Sequence, residues 1–197
     1  HAWLHDFAVA GARNVEIPIV DRRSRAQDAR IADLVRTADG IFLGGGDQVH
    51  LVATLGGSRV GRALRDAYER GAVIGGTSAG AAALTETIMA GGERDAQGEL
   101  VDLYIGPGFG LLGFRAVIDT HFAERRRLHR LFVAIAGNPD LLGLGIDEDT
   151  ALVVQGHLAT VHGLGGVTFV DGRGVRFDNA DEIKRTGGGL TLSYLRV

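Results

Sequence analysis

Short apolar runs alternate with amphipathic stretches along this chain, and that alternation sets the expected elements. Val15 to Val20 reads as a strand, pushed toward an edge or a bend by Pro18, which brings no N–H to a ladder. Ala29, Ala32, Leu34, Val35 and Ala38 fall near a helical period, so a surface helix is expected over 26–38. Gly40 to Leu43 is a short buried strand running into Gly44-Gly45-Gly46-Asp47-Gln48. Helices follow over 49–55 and 60–70, the second closed by Gly71. Ala72 to Gly75 is another buried strand, leading at once into Gly76-Thr77-Ser78-Ala79-Gly80 and a small-residue helix.

The second half opens with a glycine-rich stretch over 91–113. Then come a strand at Ala116 to Asp119, a basic helix over 124–136 and a stop at Asn138-Pro139. Leu144 to Asp147 leads into a strand over 150–155, and the short alternating runs 157–162, 167–171 and 174–177 read as β-hairpins. Strand–helix alternation followed by hairpins predicts a single α/β domain over 1–197. Its mostly parallel sheet is flanked by helices and carries a C-terminal β-hairpin extension.

Composition narrows the chemistry. The 197 residues carry a net charge of -3, which gives no electrostatic reason to expect nucleic acid or a membrane surface as partner. No cysteine is present, so disulfides, thiolate metal sites and a cysteine nucleophile are excluded; this is compatible with the cytoplasm, the expected location, with secretion as the alternative. Glycine supplies 31 of 197 positions, against a background of roughly 7%, and clusters where apolar runs end, as tight strand–loop junctions require.

The segment Gly76-Thr77-Ser78-Ala79-Gly80 fits G-x-S-x-G between a buried strand and a helix. A sharp strand-to-helix turn crowds the backbone, so tiny residues must flank the serine, whose hydroxyl then projects at the carboxyl edge of the sheet. The helix start places N–H groups beside it, ready for an oxyanion. A phosphate-binding loop fits poorly, because no Gly-Lys-Ser/Thr follows and Lys184 is the only lysine.

A nucleophilic serine needs a base, and the base an orienting acid. Of seven histidines, His121 ends the strand Val117-Ile118-Asp119-Thr120 at the edge expected beside Ser78, whereas His50 and His129 fall on predicted helices. Glu93 is the expected acid, since Met89-Ala90-Gly91-Gly92 can loop back toward the site. Glu86, Asp95 and Glu99 are weaker candidates. Gly46 can offer an N–H to complete an oxyanion hole with that of Ala79, and Gln48 suits an amide or carboxylate. Asp147-Glu148-Asp149 reads as structural support rather than a metal site.

Four segments together carry a resemblance: IFLGGGDQ (41–48), GAVIGGTSAGAAAL (71–84), VIDTHFAERRRLHRL (117–131) and LLGLGIDEDTALVV (141–154). In this order they resemble the cyanophycinase family of serine peptidases, relatives of aspartyl dipeptidase E with a class I glutamine amidotransferase-like fold. The resemblance implies Ser78 as nucleophile, His121 as general base and Gly46 and Ala79 as oxyanion donors. It also implies Glu93 as triad acid and Gln48, Asp119, Arg125, Arg127 and Arg130 as substrate-binding residues.

The implied substrate is a peptide or polymer of β-aspartyl-arginine units, hydrolysed through an acyl-enzyme with no metal or organic cofactor. Arginine holds carboxylates by paired charge-assisted hydrogen bonds, which suits such a chain. An aspartyl dipeptidase and a catalytically silent homologue with a binding role are the alternatives. Two departures stand out: Thr120 where the family commonly has glutamine, and Arg126 where it has glycine. Family members also carry a strand and a glycine-rich turn ahead of the point matching His1. The domain is therefore expected to lack that N-terminal strand and to form a homodimer that covers the gap.

Overall fold

The computed structural model describes residues 2–94, 96, 100–178 and 192–193. Helix α1 (Ala2–Val9) opens the described chain and buries none of its residues. It meets strand β1 (Gly40–Leu43) through an aromatic group, with Trp3 and Phe7 ring centroids 5.5 and 5.4 Å from that of Phe42.

A single turn over Arg25–Gln27 precedes α2 (Ala29–Thr37), whose start is fixed by Asp28 accepting from the N–H groups of Arg30 and Ile31. Helix α3 (Gln48–Leu55) is capped in the same way by Asp47. Helix α4 (Arg59–Glu69) is capped by Ser58 and buries Val60, Ala63, Leu64 and Ala67, the i, i+3, i+4, i+7 stripe of a core-facing helix. These helices pack with Ala83, Leu84, Phe109 and Leu111 into one hydrophobic cluster. Strand β2 (Val73–Gly76) runs parallel to β1 in register Leu43↔Gly76, so both strands end at one edge.

After the four-residue helix α5 (Ala79–Ala82), β3 (Thr87–Arg94) and β4 (Leu100–Pro107) form an antiparallel hairpin. Strand β5 (Ala116–Thr120) is parallel to β6 (Leu142–Ile146), which pairs antiparallel with β9 (Val167–Asp171). Helix α6 (Leu128–Gly137) covers this sheet, and Leu131, Ala134 and Ile135 pack with Val117 and Val170 in a second cluster. The hairpin β7 (Thr150–Gln155)–β8 (Leu158–Gly163) and the short pair β10 (Phe177–Asp178) and β11 (Leu192–Ser193) complete the described elements. Among the described residues no helix is long and apolar enough to cross a membrane.

Four local expectations need correction. Residues 15–20 form no strand; Pro18 removes a donor, no described strand pairs with the segment, and Ile19 is 68% exposed. The stretch 91–113 contains much of the β3–β4 hairpin, whose alternation is broken by Gly91, Gly92 and an irregularity between Met89 and Gly91. Helix α6 begins at Leu128 rather than near 124, because Arg126 has φ +50°, which a right-handed helix does not accommodate. The run 174–177 contributes only Phe177 to a strand.

Candidate active site

Strand β2 ends at Gly76 and α5 starts at Ala79, leaving two residues for the reversal. Gly76 and Gly80 make that turn possible: a Cβ on Gly76 would sit 2.5 Å from the carbonyl carbon of Gly80, and one on Gly80 would sit 2.1 Å from the Leu43 carbonyl oxygen. Ser78 at the apex has φ +52°, ψ −119°, a strained backbone that costs of order 1–3 kcal/mol. Strain of this kind is expected where a hydroxyl must be held clear of its own helix.

Parallel pairing of β5 with β6, in register Thr120↔Ile146, makes both strands end together. The next residues are therefore neighbours: His121 follows β5, and Asp147 and Glu148 follow β6. The His121 Nε2 lies 3.0 Å from Ser78 Oγ, and its Nδ1 lies 2.7 Å from Glu148 Oε1. The His121 side chain is 26% exposed and that of Glu148 52%, so the line of three groups opens to solvent at its acid end.

The expected Glu93 contact with His121 is not what the structure places there. The Glu93 carboxylate accepts a hydrogen bond from the Tyr104 hydroxyl, across the β3–β4 hairpin. Asp95 and Glu99 lie outside the described residues, and Glu86 pairs with Arg115 at 3.8 Å. Glu148, grouped in the sequence with supporting carboxylates, takes the position on His121. The signal that could have found it is the register of two parallel strands, each ending one or two residues before a functional side chain.

Asp147 does support structure. Its Oδ1 accepts from Ala123 N–H at 3.0 Å and its Oδ2 from Gly166 N–H at 2.9 Å. The Glu124 carboxylate accepts from Glu148 N–H at 3.2 Å. The turn after His121 and the loop bearing Glu148 are thus tied to each other, and both contain left-handed residues, with His121 at φ +51° and Asp149 at φ +49°.

The loop 44–46 approaches the serine closely, since a Cβ on Gly45 would lie 3.2 Å from Ser78 Cβ. Gly46 has φ +137°, and Ala79, as the first residue of α5, has no intrahelical acceptor for its N–H. Gln48 donates from Nε2 to the Met89 carbonyl at 2.7 Å, tying the start of α3 to β3. It lines a cavity of about 370 Å³ with Gly46, Asp47, Met89, Arg94 and Arg130 among the walls.

Asp119, 1% exposed, is committed to two arginines. It accepts from Arg127 Nη1 at 3.0 Å and from Arg130 Nε at 2.7 Å, with a further bond from Arg130 Nη2. Burial pushes the Arg127 guanidinium below its ordinary value; Asp119 opposes that shift, while Arg130 and Arg125 reinforce it. Arg125 is exposed on the preceding turn. Among the described residues no group of three or more His, Asp or Glu side chains is placed to hold a metal ion.

The fold is an α/β architecture shared with solved peptidase structures. The crystal structure of a peptidase from an acI-B1 Actinobacterium superposes with TM-score 0.65 at 23% identity, covering 87% of this chain and 70% of that one. A putative peptidase E protein from Listeria monocytogenes EGD-e gives TM-score 0.50 at 18% identity, over 69% and 65%. Both likenesses concern the fold, and they agree with a class I glutamine amidotransferase-like architecture.

Residues 8–162 match peptidase family S51, and the chain belongs to that family. It is 41% identical over 180 residues to a cyanophycinase of Synechococcus elongatus, covering 89% of this chain and 55% of the relative. It is 33% identical over 197 residues to a cyanophycinase of Geminocystis herdmanii (strain PCC 6308), covering 99% and 72%. The chain thus spans little more than half the length of the first of these relatives.

Proposed function

We propose that the protein is a serine peptidase that hydrolyses cyanophycin or similar aspartyl peptides, cutting between β-aspartyl-arginine units and releasing them as β-Asp-Arg dipeptides. The observation that carries this reading is the continuous hydrogen-bonded line from Ser78 Oγ through His121 to Glu148. Its two contacts have the lengths expected between a nucleophile, its base and the group that orients the base. Membership of family S51 and the resemblance to cyanophycinases supply the substrate class.

In the proposed mechanism His121 Nε2 takes the Ser78 proton as Oγ attacks the scissile carbonyl. Glu148 holds the imidazole with Nδ1–H directed at its carboxylate and stabilises the imidazolium that forms. The N–H groups of Ala79 and Gly46 receive the developing oxyanion, each worth roughly 2.7–4 kcal/mol in comparable sites. The imidazolium then protonates the leaving amine, and an acyl ester remains on Ser78. Water, deprotonated by His121, attacks that ester and frees the serine.

The arginines that follow His121 suit a substrate rich in carboxylates. Because Asp119 is spent on Arg127 and Arg130, its role in this reading is to hold those guanidiniums in place rather than to meet a substrate cation.

Incubation with cyanophycin, a β-Asp-Arg dipeptide and an α-Asp dipeptide, followed by product analysis, tests the reading. Release of β-Asp-Arg from the polymer is expected, and Ser78→Ala should lower that rate by about 10^4-fold or more with the thermal midpoint unchanged. Cleavage of the α-Asp dipeptide alone would assign the chain to aspartyl dipeptidase chemistry. No turnover of any substrate would favour a binding role.

A further inference from the structure

We infer that Gln48 is a positioning residue for the oxyanion loop rather than a substrate contact: its bond to the Met89 carbonyl sets where the Gly46 N–H stands relative to Ser78. The inference rests on the proposed reading of Ser78 as nucleophile and Gly46 as oxyanion donor.

Three consecutive glycines, Gly44 to Gly46, join β1 to α3. Glycine has the most backbone freedom to lose, so this loop keeps one shape only where its surroundings impose it. Among the described residues the backbone of 44–46 makes no hydrogen bond. A Cβ on Gly46 would also meet nothing within 4 Å, so nothing packs against the donor on that side. The loop is therefore held by its two ends. At the first, Thr77 N–H donates to the Leu43 carbonyl at 3.0 Å. At the second, Asp47 caps α3 locally, and Gln48 Nε2 donates at 2.7 Å to the carbonyl of Met89, 41 residues away. A carbonyl only accepts, which fixes the amide with its nitrogen toward Met89.

That bond crosses a seam in the core. Leu51, Val52 and Leu55 of α3 pack with Ile41, Leu43 and Ile74 of β1 and β2, the strands that lead to Gly46 and Ser78. Met89 is 4% exposed and belongs to the other cluster, with Val117 of β5 and Phe122, the residue after His121. Nucleophile and oxyanion donors thus stand on one cluster and the base on the other. The Gln48–Met89 bond ties the loop to the side that carries the base. An oxyanion donor acts only where the oxyanion forms, and a misplacement of about 1 Å can cost about 10^2-fold.

A loop tie and a substrate contact make opposite kinetic predictions. Gln48→Met keeps the length of the side chain and removes the donor. In this variant kcat for β-Asp-Arg release from cyanophycin should fall about tenfold to a hundredfold, with KM within about twofold of the parent. Diisopropyl fluorophosphate separates the two roles further, because it carries no peptide. Ser78 Oγ displaces its fluoride while the phosphoryl oxygen takes the oxyanion position, so its rate of labelling should fall by the same factor as kcat. The Kd of Ser78→Ala for the tripeptide-like oligomer (β-Asp-Arg)3, read by calorimetry, should be unchanged when Gln48→Met is added.

Gln48→Lys restores an N–H donor of sufficient reach and should lie nearer the parent than Gln48→Met in both kcat and labelling rate. Equal losses in the two variants overturn the inference, as does labelling of Gln48→Met at the parent's rate. A raised KM and weakened Kd with kcat intact also overturn it, since Gln48 would then meet the substrate. A parent chain that the reagent leaves unlabelled at Ser78 removes the nucleophile itself, and with it both the proposed function and this inference.

Discussion

Two regions of the molecule offered a carboxylate to His121, and they are built in opposite ways. At the joint edge of β5 and β6, three residues other than glycine are held in left-handed backbone, His121, Arg126 and Asp149, with Ser78 at the neighbouring corner. Such positions persist only where the surroundings over-determine them. Here Asp147 ties Ala123 to Gly166, and Glu124 holds the Glu148 N–H. The β3–β4 hairpin instead meets its demands with glycine, Gly91 at φ +154° among them, and its Glu93 spends its carboxylate on Tyr104. In the proposed mechanism the acid holds an imidazole in one orientation, and the braced edge brings Glu148 to His121 Nδ1 at 2.7 Å.

Exchanging the two acids for their amides is the sharpest way to break this contrast. Glu148→Gln keeps the shape of the side chain and removes the charge that favours Nδ1–H and the imidazolium. In the serine protease template the same type of change costs about 10^4 in kcat. Glu148 is 52% exposed, so solvent shares its load and a loss of about 10^2 to 10^4 in kcat is expected, with KM little changed. Steady-state kinetics of β-Asp-Arg release from cyanophycin would show it. Equal activity of Glu148→Gln and the parent would remove Glu148 from the proposed triad.

A second substitution probes how much of the braced edge depends on buried charge. Asp119 is 1% exposed and faces two guanidiniums. Asp119→Asn leaves both cations with one neutral amide. The expected loss is roughly 3 kcal/mol of stability, at the low end for breaking a buried pair because both arginines keep some contact with water. Chemical denaturation would read it as a lower midpoint with unchanged slope. An unaltered midpoint would mean that Arg127 and Arg130 are held by their backbone positions and not by Asp119.

The parts of this site that were legible in the sequence are those enforced by local sterics. Gly76-Thr77-Ser78-Ala79-Gly80 announces its turn, because only tiny residues tolerate contacts such as Gly80 against Leu43. His121 was legible for a related reason, since a polar residue at the end of the apolar run 116–118 falls at a strand's carboxyl end. Glu148 was hidden because its partnership depends on the register of β5 against β6, which no local pattern encodes; inside Asp-Glu-Asp it looked like one more solvated carboxylate. The early start assigned to α6 has a similar origin, as nothing in Glu124-Arg125-Arg126-Arg127 marks the left-handed turn at Arg126. The β3–β4 hairpin was masked by its own glycines and by the irregularity after Met89, which together erase the period of two.

The smallest expected effect sharpens the comparison from the other side. If Glu93 serves only the hairpin, Glu93→Gln should leave kcat and KM within about twofold of the parent, as exposed substitutions away from the chemistry usually do. It should still be felt at Tyr104. The hydrogen bond to Glu93, followed by a small burial contribution and carboxylate repulsion, raises the Tyr104 phenol above its ordinary value. A neutral amide removes the Glu93 share of the repulsion and leaves that of Asp102, so Tyr104 should ionise at lower pH in Glu93→Gln than in the parent. Ultraviolet titration, with Tyr104→Phe subtracted to separate it from the other two tyrosines, would follow the shift. A downward move of that titration with activity intact would place Glu93 in the hairpin and nowhere else. A fall in kcat approaching that of Glu148→Gln would mean that the hairpin carboxylate reaches His121 during turnover, and that the braced edge does not act alone.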